Sequence, residues 1–200
     1  MRILLWLAVP LLAACTAGYN FHEVDSGRFY RSAQLPSSVL EQAIEDYGIR
    51  TVINLRGKSL GKGWYERELA SCARFRVEHH DVTMSSRRIP HRDELVRFLD
   101  LLRTSPRPIL VHCRGGADRT GLAAALYVFE YMGYSKEEAL KMLANRYGHY
   151  SFMKPSKRYF IQIYDGQDWA YEHYDPCQQQ YLYYDTERFC GGASPSPNHQ

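Results

Sequence analysis

Among 200 residues there are five cysteines and no C-x-x-C pair, which disfavours a dithiol redox protein. The histidines, among them His79-His80, His91, His149 and His173, stand at no metal-ligand spacing. A net charge of +3 is too small to argue for a nucleic-acid partner. No internal repeat is visible, and low complexity is confined to GGASPSPNHQ at 191–200, which reads as a disordered tail. The apolar run ILLWLAVPLLAA at 3–14 is too short for a stable membrane-spanning helix. What is left is ordinary for a globular chain of one domain, 45% hydrophobic and 24% charged, with 16 tyrosines crowded towards the C-terminus.

The N-terminus is a separate object. Arg2 supplies a positive start, residues 3–14 an apolar stretch, and Ala13-Ala14 a small-residue cleavage site before Cys15. Leu12-Ala13-Ala14-Cys15 resembles the bacterial lipobox, which implies cleavage before Cys15 and acylation of that cysteine; the plainer alternative is a secretory signal cut nearby. The expectation is an exported protein, anchored by lipid at Cys15 to the bacterial cell envelope, on the periplasmic face of a membrane or at the cell surface. The chain then divides into a signal at 1–14, a tether at 15–24, a domain at 25–168 and a Tyr-rich extension and tail at 169–200. Cys72 falls on a helical stretch as a small hydrophobe, while Cys177 and Cys190 share a loop-rich segment where they could pair.

Between these ends, helical and strand-like patterns alternate. Phe29-Tyr30-Arg31 is a short extended piece, and SSVLEQAIEDYG reads as a helix with a Ser38/Glu41 capping box and a Gly48 stop. RTVINLR (50–56), RVEHHDVTM (76–84) and PILVHC (108–113) read as strands; 64–75, 91–103 and 120–131 read as helices. Ser135 with Glu138 opens another helix to about Tyr147, and a last one runs from near Pro155 to near Gly166. Strands apolar along their whole length and separated by helices predict an α/β fold with a mainly parallel central sheet flanked by helices.

The segment LVHCRGGADRTGL at 110–122 ends a strand on a cysteine and opens a helix on an arginine. A loop there lies at the carboxyl end of a parallel strand, where such folds bind ligands. Gly115 and Gly116 permit positive φ and close approach of amides to an anion. The helix from Thr120 points its positive dipole end at the same place, and Arg119 offers a planar fork to two oxygens. The same groups favour thiolate over thiol at Cys113. A Walker A loop is disfavoured, because it requires a Lys-Ser/Thr pair.

His112-Cys113-x-x-Gly116-x-x-Arg119-Thr120-Gly121 resembles the signature of the cysteine-dependent protein tyrosine and dual-specificity phosphatases. RFYRSAQL (28–35), GIRTVINLRG (48–57) and GADRTGLAAALY (116–127) resemble a bacterial dual-specificity-like branch. The resemblance implies that Cys113 attacks phosphorus to form phosphocysteine and that Arg119 grips the phosphoryl oxygens. It implies that Arg114, Gly115, Gly116 and Ala117 lend backbone amides to the substrate, that Thr120 hydrogen-bonds the sulfur, and that His112 supports the loop from behind. It also implies a substrate that is a phosphorylated protein or a phosphorylated small molecule, phosphoinositides and inositol phosphates included, and a reaction with no metal and no cofactor. A catalytically dead phosphate-binding module is the alternative from another class.

A leaving oxygen needs a proton, and relatives take it from an aspartate upstream of the cysteine. Asp81 has that separation, but in the loop at 84–88, where the resemblance expects an acid, Ser85-Ser86 stand instead, and Asp118 inside the cradle loop is the other candidate. Asp93 and Glu94 read as first-turn helix acids. Arg87, Arg88 and Arg92 are either a binding surface for a doubly charged substrate or a solvated basic face, and Arg56-Gly57 either the mouth of the site or a turn. The sequence sets no oligomeric state.

Overall fold

The computed structural model describes residues 18–190. The expected export signal at 1–14, the expected lipidation site Cys15 and the tail at 191–200 lie outside them. Five short strands, β1 (His22–Asp25), β2 (Phe29–Ser32), β3 (Thr51–Asn54), β4 (Glu78–Asp81) and β5 (Ile109–His112), form one sheet in the order β1-β2-β5-β3-β4. β1 is antiparallel to β2; the other neighbours pair in parallel. The expected mixed α/β fold with helices on both faces is what the chain adopts.

Period-two alternation divides the sheet side chains between two cores. Tyr30, Val52 and Leu110 face a layer made by α1 (Ser37–Tyr47) and α2 (Gly63–Phe75), where they meet Leu40, Ala43, Ile44 and Cys72. Phe29, Ile53, Ile109 and Val111 face the larger core, built from α3 (Arg92–Thr104), α4 (Asp118–Met132) and α6 (Ser156–Ile163). The remaining helices are α5 (Lys136–Leu140), α7 (Gln167–Glu172) and α8 (Thr186–Cys190).

Register places Ser32, His112, Asn54 and Asp81 in one row across the four parallel strands. Every loop leaving that row emerges at the same edge of the sheet, and the row therefore marks the floor of any site there.

Several local expectations change. From Tyr19 onward the stretch expected as tether is part of the fold: Tyr19 and Phe21 pack on the smaller core, and β1 extends the sheet. The Ser38/Glu41 capping box does not form; α1 starts at Ser37 after Pro36, and Glu41 instead accepts from Ser71 Oγ at 3.0 Å and Arg74 at 3.0 Å. Ser135 does cap α5, accepting from the Glu138 amide, but the helix stops at Leu140. Beyond it the chain tightens into i→i+3 turns, Met142 N to Ala139 O and Leu143 N to Leu140 O, and side chains share the carbonyls. Arg31 donates to Met142 O, and Arg158 to Leu140 O and Leu143 O. Gly121 of α4 allows this close approach, since a Cβ there would stand 2.7 Å from Leu143 Cδ2.

The Tyr-rich extension packs over the core. Ala170 and Tyr174 are fully buried in the larger core, and Cys177 and Cys190 are joined by a disulfide. The extension clasps the segment that follows β4: Ile89 N donates to Tyr183 O, Tyr174 Oη to Pro90 O, and Arg88 lies over the Phe189 ring.

Candidate active site

The loop from Cys113 to Ala117 joins β5 to α4 and curls over the end of the row just described. Its three successive carbonyls are tied from outside. Gln34 N donates to Arg114 O at 3.3 Å, Asn20 Nδ2 to Gly115 O at 3.0 Å, and Arg31 Nη2 to Gly116 O at 2.8 Å. Because a trans peptide sets its N–H opposite its C=O, the amides of residues 115–117 are turned towards the interior of the loop. Gly116 is the pivot. Its φ is +69°, and a Cβ there would stand 2.7 Å from Ala33 N and 2.9 Å from the Ser32 carbonyl carbon. Gly115 has neither constraint, so only one of the two glycines is needed for backbone reasons.

α4 begins at Asp118, two residues earlier than the pattern suggested, and no side chain caps its first turn. Its free amides and dipole face the loop. The resulting cavity, of about 470 Å³, is lined by Ser86, Arg114, Gly115, Ala117, Asp118, Arg119, Lys154 and the sulfur-bearing Cys113. Arg119 donates to Leu55 O at 3.3 Å, while its Nε is buried without a protein partner. An orphaned guanidinium N–H beside inward amides is the donor set that an oxyanion completes. A larger cavity between α5 and α6, about 580 Å³, is lined by no cysteine.

Burial pushes the Cys113 thiol up, but the Thr120 hydroxyl, the Arg119 charge and the amides of Thr120 and Gly115 outweigh it, so the net shift is downward. Thiolate is thus favoured at a lower pH than for an ordinary cysteine. Replacing Thr120 by valine, which keeps the shape of this fully buried side chain, is expected to raise the pH midpoint of Cys113 alkylation by about one unit, as loss of one charge-assisted hydrogen bond requires. Iodoacetamide labelling across pH measures it; an unmoved midpoint would remove the hydroxyl from the account.

Behind the loop lies a buried charge cluster. Glu68 of α2 is 3% exposed, with Oε1 at 2.9 Å from His79 Nε2 and 3.2 Å from His112 Nε2. The His112 contact is an ion-pair distance without the alignment of a good hydrogen bond. Gln34 donates to the other Glu68 oxygen and accepts from Arg56, which stacks 3.4 Å above Trp64. The chain Trp64–Arg56–Gln34–Glu68–His112 braces the cradle from the side.

The two acid candidates are placed differently. Asp81 does not line the cavity: its carboxylate accepts from Asn54 Nδ2 at 2.8 Å and Tyr65 Oη at 2.5 Å. Asp118 does line it, with Oδ1 at 2.8 Å from His149 Nδ1 and Oδ2 at 3.1 Å from Lys154 Nζ. Burial raises the Asp118 carboxyl, but His149 and Lys154 more than offset that and hold it below the usual range. Of the three arginines after β4, Arg88 is bound bidentately by Glu94 at 2.7 and 3.1 Å, Arg92 donates to Tyr171 O, and Arg87 is exposed.

Asn20, Arg31, Gln34, Glu68 and Lys154 escape a reading by motif. Two of them carry a signal nonetheless. Arg31 is a cation inside a fully buried strand, and Glu68 is an acid on the helical face shared by Tyr65 and Cys72.

Comparison with known proteins gives a consistent set. The model of a family described as the tyrosine phosphatase family matches residues 12–141. The human dual specificity protein phosphatase CDC14C is 27% identical over 135 residues, which are 68% of this chain and 28% of that protein. The chain therefore spans little more than a quarter of that relative. Among solved structures, P. aeruginosa TpbA superposes with a TM-score of 0.57 at 23% identity, covering 74% of this chain and 87% of that one. The catalytic domain of the S. cerevisiae PP-IP phosphatase SIW14, in complex with citrate, gives 0.61 at 20% identity over 74% and 87%. At these identities the structural likeness speaks for the fold.

Proposed function

Because this chain belongs to the tyrosine phosphatase family, we propose that it is a phosphatase that hydrolyses phosphate monoesters through a phosphocysteine on Cys113. The observation that carries the reading is the cradle itself: a buried sulfur, three inward amides and an unpartnered Arg119 Nε around one cavity.

In the first step the Cys113 thiolate forms an S–P bond as the ester P–O bond breaks. Arg119 and the loop amides hold the equatorial oxygens throughout. The leaving oxygen takes a proton from Asp118, which lines the cavity where Asp81 does not. In the second step water attacks phosphorus, returns a proton to Asp118 and releases the thiolate, which Thr120 stabilises. As proposed, the reaction uses no metal and no cofactor, and a chelator leaves its rate unchanged.

Asp118 is held down by His149 and Lys154, so its acid form prevails only below its own lowered value, and the rate with poor leaving groups should climb as pH falls. Asp118→Asn is expected to slow alkyl phosphate hydrolysis by about 100-fold, to abolish that pH limb, and to leave aryl phosphates nearly untouched. Equal losses on both ester classes would refute proton donation by Asp118.

Phosphorylated proteins, with phosphotyrosine or dual specificity, are the proposed substrates. Phosphoinositides or inositol phosphates form a second reading, favoured by Arg114 and Lys154 beside Arg119 at the cavity wall. Profiling against phosphopeptides and inositol phosphates, with a stoichiometric phosphoenzyme burst as the first readout, decides between them. Export and lipid attachment at Cys15 complete the proposal, checked by mass spectrometry of the mature N-terminus.

A further inference from the structure

Eight large hydrophobic side chains are exposed among the described residues. Seven of them belong to segments at one end of the molecule. Leu60, 66% exposed, sits in the loop after β3. Tyr150, Phe152 and Met153 form the turn that delivers Lys154 to the cavity; Phe152 is 84% exposed and Met153 64%. Leu182, Tyr183 and Phe189 lie on the extension that clasps the segment after β4. β3, β4 and β5 run in parallel, so the loops after their carboxyl ends all surround the Cys113 cradle. The eighth, Tyr134, follows the C-terminus of α4 and so lies at the far end from the cradle.

Cations are interleaved with these tips. Lys58 and Lys62 flank Leu60, Lys154 follows Met153, Arg188 precedes Phe189, and Arg87 and Arg114 stand exposed between them. The exposed acids in the same segments are fewer: Glu66, Asp185 and Glu187. Single exposed hydrophobics are normal on a protein surface, but their concentration around one cavity with cations interleaved is not. Apolar tips that enter the acyl boundary and Lys/Arg that meet the headgroups are the two components of binding to an anionic lipid surface.

A second observation is independent of that surface. Asn20 touches the cradle at Gly115 O, 3.0 Å away, and the apolar stretch 3–14 ends six residues before it in sequence. Six extended residues reach at most about 20 Å. β1 is antiparallel to β2, so the chain enters the fold at the cradle end, and the acyl group proposed for Cys15 would be tethered within that reach of it.

We propose that the cradle end of the sheet docks against an anionic phospholipid surface, with Leu60, the 150–153 turn and the 182–189 segment as its apolar contacts. The site then faces the membrane instead of bulk solvent, and reaches phosphate groups presented at its surface.

Hydrogen exchange of the full chain tests this, measured alone, with phosphatidylcholine vesicles, and with vesicles that also contain phosphatidylglycerol. Docking predicts slowed exchange at 58–62, 150–153 and 182–189 with the anionic vesicles, reversed by high salt. The double variant F152S/M153S is expected to lose protection in all three segments and to weaken vesicle binding by about tenfold or more, while hydrolysing a soluble aryl phosphate at the normal rate. Slowing confined to the first twenty residues, with the three segments unchanged, overturns the proposal. So does protection of those segments that grows with protein concentration in the absence of lipid, which would mark a contact between copies. A negative result with aryl phosphate turnover intact leaves the phosphocysteine reading standing, so the two fail separately.

Discussion

Cys113→Ser is expected to lower turnover of an aryl phosphate by about 10⁴-fold or more while phosphate and vanadate still bind. The reason lies in how the nucleophile is made. The sulfur is activated because its surroundings, the Thr120 hydroxyl, the Arg119 charge and the loop amides, favour an anion. A serine hydroxyl, far less acidic, stays protonated among the same donors. The binding elements do not depend on sulfur. Arg119 and the amides of 115–117 are fixed by Leu55, Gln34, Asn20 and Arg31. Removing a negative charge from the floor should even strengthen dianion binding. Steady-state kinetics beside calorimetric titration with vanadate measure both halves. Residual turnover within tenfold of the parent would refute Cys113 as nucleophile.

Glu68→Ala should cost about 3–5 kcal/mol of stability, a large part of what a domain possesses, and lower the melting temperature by about 10 °C. The side chain is 3% exposed and ties together His79, His112 and Gln34. Burial alone would raise its carboxyl, yet His112 and His79 hold it far below the ordinary carboxylate range. A group depressed in this way stabilises the fold fully above its unfolded value, about 4.3, and loses that contribution as pH falls towards the folded one. The gap between parent and variant should therefore be widest near neutral pH and narrow in acid. Thermal melts across pH measure it, and a constant gap would mean that the effect is one of packing.

Most of the architecture could be read from the residues because it rests on local patterning. The continuous apolar runs at 50–56 and 108–113 became central parallel strands, and the spacing of Leu95, Phe98, Leu99 and Leu102 became the buried face of α3. Boundaries were missed where tertiary groups compete for backbone bonds. Past Leu140 the chain tightens into i→i+3 turns whose carbonyls also accept from Arg31 and Arg158, and the left-handed Arg76, φ +57°, delays the start of the strand expected over 76–84, which runs over Glu78–Asp81. The cradle was legible in HCRGGADRTG because its members are contiguous. Its supports were not, since Asn20, Arg31, Gln34 and Glu68 meet it only through sheet register and helix packing.

The outward ties on the carbonyls of residues 114–116 also bear on how an anion enters. Turning three peptide planes against their neighbours is work done when the chain folds, with Arg31 already buried against Gly116 and Met142. No peptide flip awaits the phosphate. Capture is then a matter of encounter and desolvation at the cavity mouth, a single kinetic phase whose rate rises with ligand concentration and falls with ionic strength.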